Sequence, residues 1–171
     1  LGTMADAGVD LDMDGIPDYV IASPMTVSSS PTCAGYGPVE AYSGFNGSLL
    51  FSAMPATSFW GHELAMLADF DGDGAGDLAI GSGSFTSSAG PLPVHVLSGN
   101  GGSTIAMINN CGFAVSGWGA NLADLGDITG DGLSELGILG DEFQGLNSGC
   151  IESTTGTHAV LSFFDAFGAT A

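Results

Sequence analysis

Lysine and arginine are absent from this chain of 171 residues, which carries 19 aspartate and glutamate residues and a formal charge of −19. No carboxylate here can form an ordinary salt bridge with a lysine or arginine. Nucleic acid and anionic membrane surfaces are excluded as partners, because both require a basic patch. Clamps for phosphate and cationic stabilisers of an oxyanion are excluded with them. Long apolar runs are also missing. The apolar stretches are short and broken by glycine or polar residues, so neither a membrane span nor a signal peptide is read. No Gly-x-Ser-x-Gly elbow occurs. His62, His95 and His158 stand apart, none with a second histidine or a cysteine at metal-ligand spacing. They read as surface or strand-end histidines, and no enzyme is expected.

Apolar residues make up 44% of the chain and glycine contributes 29 residues, which points to an all-β fold with a buried core and many turns. The uncompensated charge would repel itself in a compact state. A divalent metal is the expected counterion.

Three acidic segments repeat: Asp10-Leu-Asp-Met-Asp-Gly-Ile-Pro-Asp18, Asp69-Phe-Asp-Gly-Asp-Gly-Ala-Gly-Asp77 and Asp127-Ile-Thr-Gly-Asp-Gly-Leu-Ser-Glu135, with starts 59 and 58 residues apart. Each precedes a strand-like run: Tyr19-Val-Ile-Ala22, Leu78-Ala-Ile-Gly81 and Leu136-Gly-Ile-Leu139. Trp60-Gly61 and Trp118-Gly119 stand nine residues before the second and third loops, and Leu1-Gly2 before the first. Further on come Val39-Glu-Ala-Tyr-Ser-Gly44, Val94-His-Val-Leu-Ser-Gly99 and Ala159-Val-Leu-Ser-Phe163. Asn46-Gly47, Asn100-Gly101 and Asp165-Ala166 follow as turns, and Asn-Gly between apolar runs signals a hairpin. The pattern predicts three repeats, at 1–59, 60–117 and 118–171, each of four short antiparallel strands. Leu1 at a repeat boundary reads as the start of a processed product or of an excerpt from a longer protein.

Trp-Gly, then the aspartate loop, then an apolar strand ending near Ala22-Ser23-Pro24 resembles the FG-GAP repeat of integrin α-subunits and of related, VCBS-like bacterial surface proteins. The resemblance covers essentially the whole chain. It implies a calcium-binding β-propeller with one four-stranded blade per repeat. The FG position holds Trp-Gly or Leu-Gly here, and only the first repeat ends in Ala-Ser-Pro. Propellers have about four to eight blades. Three blades therefore predict an incomplete ring, or one completed by self-assembly.

The loop chemistry fits calcium, which takes six to eight hard oxygen ligands. Asp10, Asp12, Asp14 and Asp18 occupy loop positions one, three, five and nine, and Ile16 offers its carbonyl at position seven. Asp69, Asp71, Asp73, Asp77 and the Ala75 carbonyl repeat this set. The third set is Asp127, Thr129, Asp131, Glu135 and the Leu133 carbonyl; its neutral Thr129 predicts the weakest site. An EF-hand needs a bidentate glutamate at position twelve, where this chain has Ile21, Ile80 and Ile138. Magnesium fits less well, because it demands a tighter octahedron and keeps its waters. About three calcium ions are expected, which would reduce the formal charge from −19 to −13.

Cys33 and Cys150 both lie 23 residues after their loop starts, and Cys111 lies 16 residues before Asp127. A Cys111–Cys150 disulfide within the third repeat is expected, leaving Cys33 for a partner outside the chain. A disulfide fits an extracellular or cell-surface setting. Inserts at 23–38, 83–93 and 141–157 are rich in Ser, Thr, Gly and Pro and suit rim loops that bind a protein or glycan. Asn46-Gly47-Ser48 fits an N-glycosylation acceptor, and 26–32 and 86–88 could carry O-linked sugars.

Three functions are weighed. The first is a structural module that self-associates into a surface layer or filament. The second is a ligand-binding or adhesion propeller within a larger secreted or cell-surface protein. The third is a non-catalytic propeller attached to a secreted enzyme.

Overall fold

A computed structural model describes residues 4–23, 37–54, 60–82, 93–109, 115–142 and 159–164. Within them the protein is all β and contains no helix, hence no helix able to cross a membrane. The first sheet comprises β1 (Met4–Ala7), β2 (Tyr19–Ala22), β3 (Val39–Tyr42) and β4 (Leu49–Ala53). The second comprises β5 (Trp60–Leu67), β6 (Asp77–Ser82), β7 (Val94–Ser98) and β8 (Thr104–Ile108). The third comprises β9 (Val115–Asp124), β10 (Leu136–Glu142) and β11 (Ala159–Phe164). Every sheet is an antiparallel meander in chain order, and none closes on itself. The third sheet thus has three strands where four were expected, and the residues beyond β11 lie outside those described. Its first strand begins at Val115, ahead of the expected repeat boundary at 118.

The sheets stack face to face, which explains the apolar pattern. In the first sheet β2 and β3 alternate buried and half-buried residues, as strands covered on one side do. In the second sheet residues 77–81 and all of β7 are buried, because both faces are covered. One core joins Val20, Ala22, Val39, Ala41 and Phe51 of the first sheet to Trp60, Leu64, Met66, Leu78, Ile80 and Leu97 of the second. Another joins Ala65, Leu67, Ala79, Val94 and Val96 to Trp118, Leu136 and Ile138 of the third. Burying one such side chain contributes about 1.5–3 kcal/mol.

The Trp-Gly pairs carry the stacking. Gly61 and Gly119 have φ of 74° and 71°, a left-handed backbone that glycine adopts without penalty. The ladder slips at these places, between Trp60 and Glu63 and again opposite Leu139 and Asp141. Each bulge presses on the preceding sheet. A Cβ on Gly61 would lie 3.0 Å from the Ala22 Cβ, and one on Gly81 would lie 2.0 Å from the Gly119 carbonyl oxygen. Trp60 and Trp118 are both buried between sheets, where packing was expected rather than substrate binding.

The predicted Asn-Gly turns close β3–β4 and β7–β8. Gly47 N–H donates to the Ser43 carbonyl at 2.8 Å, and Gly102 N–H to that of Ser98 at 2.9 Å. Asn46 is exposed in its turn, and its Oδ1 accepts from Ser48 N–H at 2.8 Å. Cys33, Cys111, Cys150 and His158 lie outside the described residues, as do 26–32 and 86–88.

Candidate metal loops

Each acidic loop connects the first strand of a sheet to the second: β1 to β2, β5 to β6 and β9 to β10. Position one holds the loop closed through its carboxylate. Asp10 accepts from Gly15 N–H at 2.7 Å, Asp69 from Gly74 N–H at 3.0 Å and Asp127 from Gly132 N–H at 2.9 Å. Those donors at position six all have positive φ, which is why glycine recurs there. Position three adds a tight side-chain turn, Asp12 to Asp14 N–H and Asp71 to Asp73 N–H, both at 3.1 Å. Position five does the same for position seven: Asp14 accepts from Ile16 N–H, Asp73 from Ala75 N–H and Asp131 from Leu133 N–H.

Position nine is the buried anchor. Asp18, Asp77 and Glu135 are all at most 1% exposed. One carboxylate oxygen of each accepts from the N–H of position two, at 2.7 Å from Leu11, 2.7 Å from Phe70 and 2.6 Å from Ile128. The other oxygen of Asp18 accepts from Gly44 N–H at 2.8 Å, and that of Asp77 from Gly99 N–H at 3.3 Å. This joins the loop to the β3–β4 or β7–β8 hairpin and explains the repeated Ser-Gly. A Cβ on Gly44 would lie 1.9 Å from the Pro17 carbonyl oxygen, and one on Gly99 would lie 2.1 Å from that of Gly76. In the third loop the Thr129 hydroxyl donates to Glu135 at 3.0 Å.

The loops are also tied to one another. Gly76 N–H donates to the Asp10 carbonyl at 2.8 Å, and Ser134 N–H donates to the Asp69 carbonyl at 2.7 Å. Both bonds run from position eight of one loop to position one of the loop before it.

Three carboxylates converge in each loop: Asp10, Asp12 and Asp18; Asp69, Asp71 and Asp77; Asp127, Asp131 and Glu135. One oxygen from each lies within 4.8 Å of the other two. Oxygens on opposite sides of a calcium bound at about 2.4 Å would be this far apart, so each donor set fits one ion. Asp14 and Asp73 stand outside these groups, whereas Asp131 enters its group in place of position three.

No family model and no curated protein matches the chain. The electrostatics show what the loops need. Burial pushes Asp77 up to about 6, against hydrogen bonds from Phe70 and Gly99 N–H that favour the anion; Asp71 and Asp73 add repulsion. Asp12 is raised by loss of hydration and by repulsion from Asp18, Asp14 and Asp10, with the Asp14 N–H opposing. Among the described residues these loop carboxylates accept from backbone N–H groups and from the Thr129 and Ser98 hydroxyls, none of them a full positive charge, and a cation would remove the repulsion.

The strand-end reading holds for the place of His95, second residue of β7, but the surface reading does not. The residue is buried, because the second sheet is covered on both faces. Its ring meets Trp60 edge-on at 4.8 Å. Its Nε2 and the Trp60 Nε1 are buried without a hydrogen-bond partner among the described residues. His62 is exposed in β5.

Proposed function

We propose that this protein is a calcium-stabilised, non-enzymatic structural module, built of FG-GAP-like blades and working outside the cell. The observation that carries the reading is the convergence of three carboxylates at the same strand connection in each of three stacked sheets. Asp10, Asp12 and Asp18, with Asp14 and the Ile16 carbonyl, would hold the first ion. Asp69, Asp71 and Asp77, with Asp73 and the Ala75 carbonyl, would hold the second. Asp127, Asp131 and Glu135, with Thr129 and the Leu133 carbonyl, would hold the third. The ions fix first-to-second strand connections and offset part of the −19 charge. The Thr129 hydroxyl is engaged by Glu135, in keeping with a weaker third site.

Self-association is assigned to surfaces that the stack leaves open. The edge strands β4 and β8 expose Leu49 and Met107, and unpaired edges with apolar residues are templates for pairing. Ile128 is 55% exposed on the third loop, where the equivalent Leu11 and Phe70 are covered by the following sheet. The extracellular setting rests on the resemblance and on the expected disulfide. A thermal melt with calcium and with chelator tests the metal. Calcium at about 100 times its dissociation constant stabilises by about 2.7 kcal/mol per site. A midpoint that ignores chelator sinks the proposal. Sizing of the native chain in calcium tests the association.

A further inference from the structure

The two interfaces inside the stack share a construction that the outer face of the first sheet lacks. In both, the position-eight N–H of the later loop donates to the position-one carbonyl of the earlier loop. Position eight of the first loop is Pro17, which has no N–H. No preceding loop could make that bond to it.

The side chains on the same face have changed in parallel. The second sheet meets the first with Leu64, Met66, Leu78, Ile80, His95 and Leu97, all buried. The loop and strand registers align these with Ala5, Ala7, Tyr19, Ile21, Glu40 and Tyr42 of the first sheet. There the two alanines are exposed and the other four residues are half-buried. Leu64, Met66, Leu78 and Leu97 give way to Ala5, Ala7, Tyr19 and Tyr42, and His95 to Glu40, while isoleucine is kept at position 21. Two of the polar members pair, the Tyr42 hydroxyl donating to Glu40 at 3.0 Å, and Tyr42 stacks on Tyr19 with ring centroids 5.4 Å apart. Among the described residues, the far side of the third sheet shows no such conversion. Ala123 and Leu125 repeat Ala65 and Leu67, and Leu139 stands where Ala22 and Gly81 admit the next bulge.

Repeat arrays need terminal units with a polar outer face. We propose that the first repeat is such a cap, and that its outer face ends the stack. In the register that joins the other sheets, this face accepts neither a further repeat nor the third sheet of a second copy. Association of this chain therefore runs through the sheet edges, or through the third-sheet end in a register that Leu139 admits, which narrows the assembly reading above.

Matched lysine substitutions in the full chain test this. Tyr42→Lys and Ile21→Lys place a charge on the cap, and Leu97→Lys and Ile80→Lys place it at the equivalent buried positions. The cap variants are expected to melt within about 4 °C of wild type and to keep its sedimentation profile in calcium. The buried variants are expected to lose the cooperative transition, or to melt well below the cap variants. Cap variants that fall as far as their buried counterparts would overturn the proposal. So would a wild-type assembly that Tyr42→Lys dissolves. Insensitivity to chelator would remove the calcium reading and leave this comparison intact.

Discussion

Met13 holds a left-handed backbone, with φ of 61°, at loop position four. The other two loops place Gly72 and Gly130 there, with φ of 83° and 81°. A residue with a Cβ is penalised by about 1–2 kcal/mol in this conformation, and Met13 is 54% exposed, so few contacts offset the strain. Met13→Gly should raise stability by about 0.5–1 kcal/mol, less than the full penalty because glycine loosens the unfolded chain. A denaturant midpoint that stays put or falls would show the strain to be absent. His95 makes a different case. Burial lowers its pKa, so the folded imidazole is neutral where the unfolded one still takes a proton. Stability from this source is present above the unfolded value of about 6.5 and is lost as pH falls below it. Asp77 works the other way in the metal-free chain, because its raised carboxyl is protonated more readily when folded. Comparing wild type with His95→Leu isolates the histidine. The variant should gain relative to wild type by up to about 1.4 kcal/mol per pH unit as pH falls from about 7 to 5.5. A constant difference over that range would refute it.

Elements in this protein are fastened by glycines that admit a neighbour, not only by those that turn. Gly76 ends the second acidic loop. A Cβ there would lie 2.0 Å from the Val9 Cγ1 and 3.0 Å from the Asp10 carbonyl oxygen that its N–H meets. Its φ lies outside the left-handed region, so the requirement is for space. Gly76→Ala should force the first and second loops apart and destabilise by about 2 kcal/mol, a typical overpacking cost. Gly74→Ala tests the opposite requirement: a Cβ there meets nothing within 4 Å, and the cost comes from φ of 89° alone. Equal stability of wild type and Gly76→Ala in urea would show that the loops do not interlock. The acidic loops, the strands after them and the Asn-Gly turns were all legible in the sequence, because each depends on residues close in the chain. The interlock was not, since Val9 and Gly76 meet only when two sheets stack. A trace existed in the Ser-Gly that follows the third strand of the first two repeats, whose glycine packs against a loop carbonyl.

At the scale of the whole molecule, charge sets the problem and stacking shapes the answer. With 19 acidic residues and no lysine or arginine, the folded chain concentrates like charge at one end of each sheet, in the acidic loops. Calcium should therefore shift the melting midpoint upward. Monovalent salt should recover part of the loss in chelator, because it screens exposed charge at a Debye length of about 8 Å near 0.15 M. Differential scanning calorimetry across a salt series in chelator reads this. A midpoint insensitive to both agents would remove electrostatics from the account.

By itself the sequence determined the all-β class, the three acidic loops, their place before a strand and the packing role of Trp60 and Trp118. Those features follow from alternation, turn chemistry and spacing, which act over a few residues. Only the tertiary structure decided which carboxylates converge, because Asp18, Asp77 and Glu135 are all buried against their loops, the first two beneath a hairpin. It also decided that His95 is interior, and that Pro17 and Tyr42 lie on the same outer face as a missing donor and a polar cover. Both depend on which surfaces the sheets press together, and that contact is made between residues far apart in the chain.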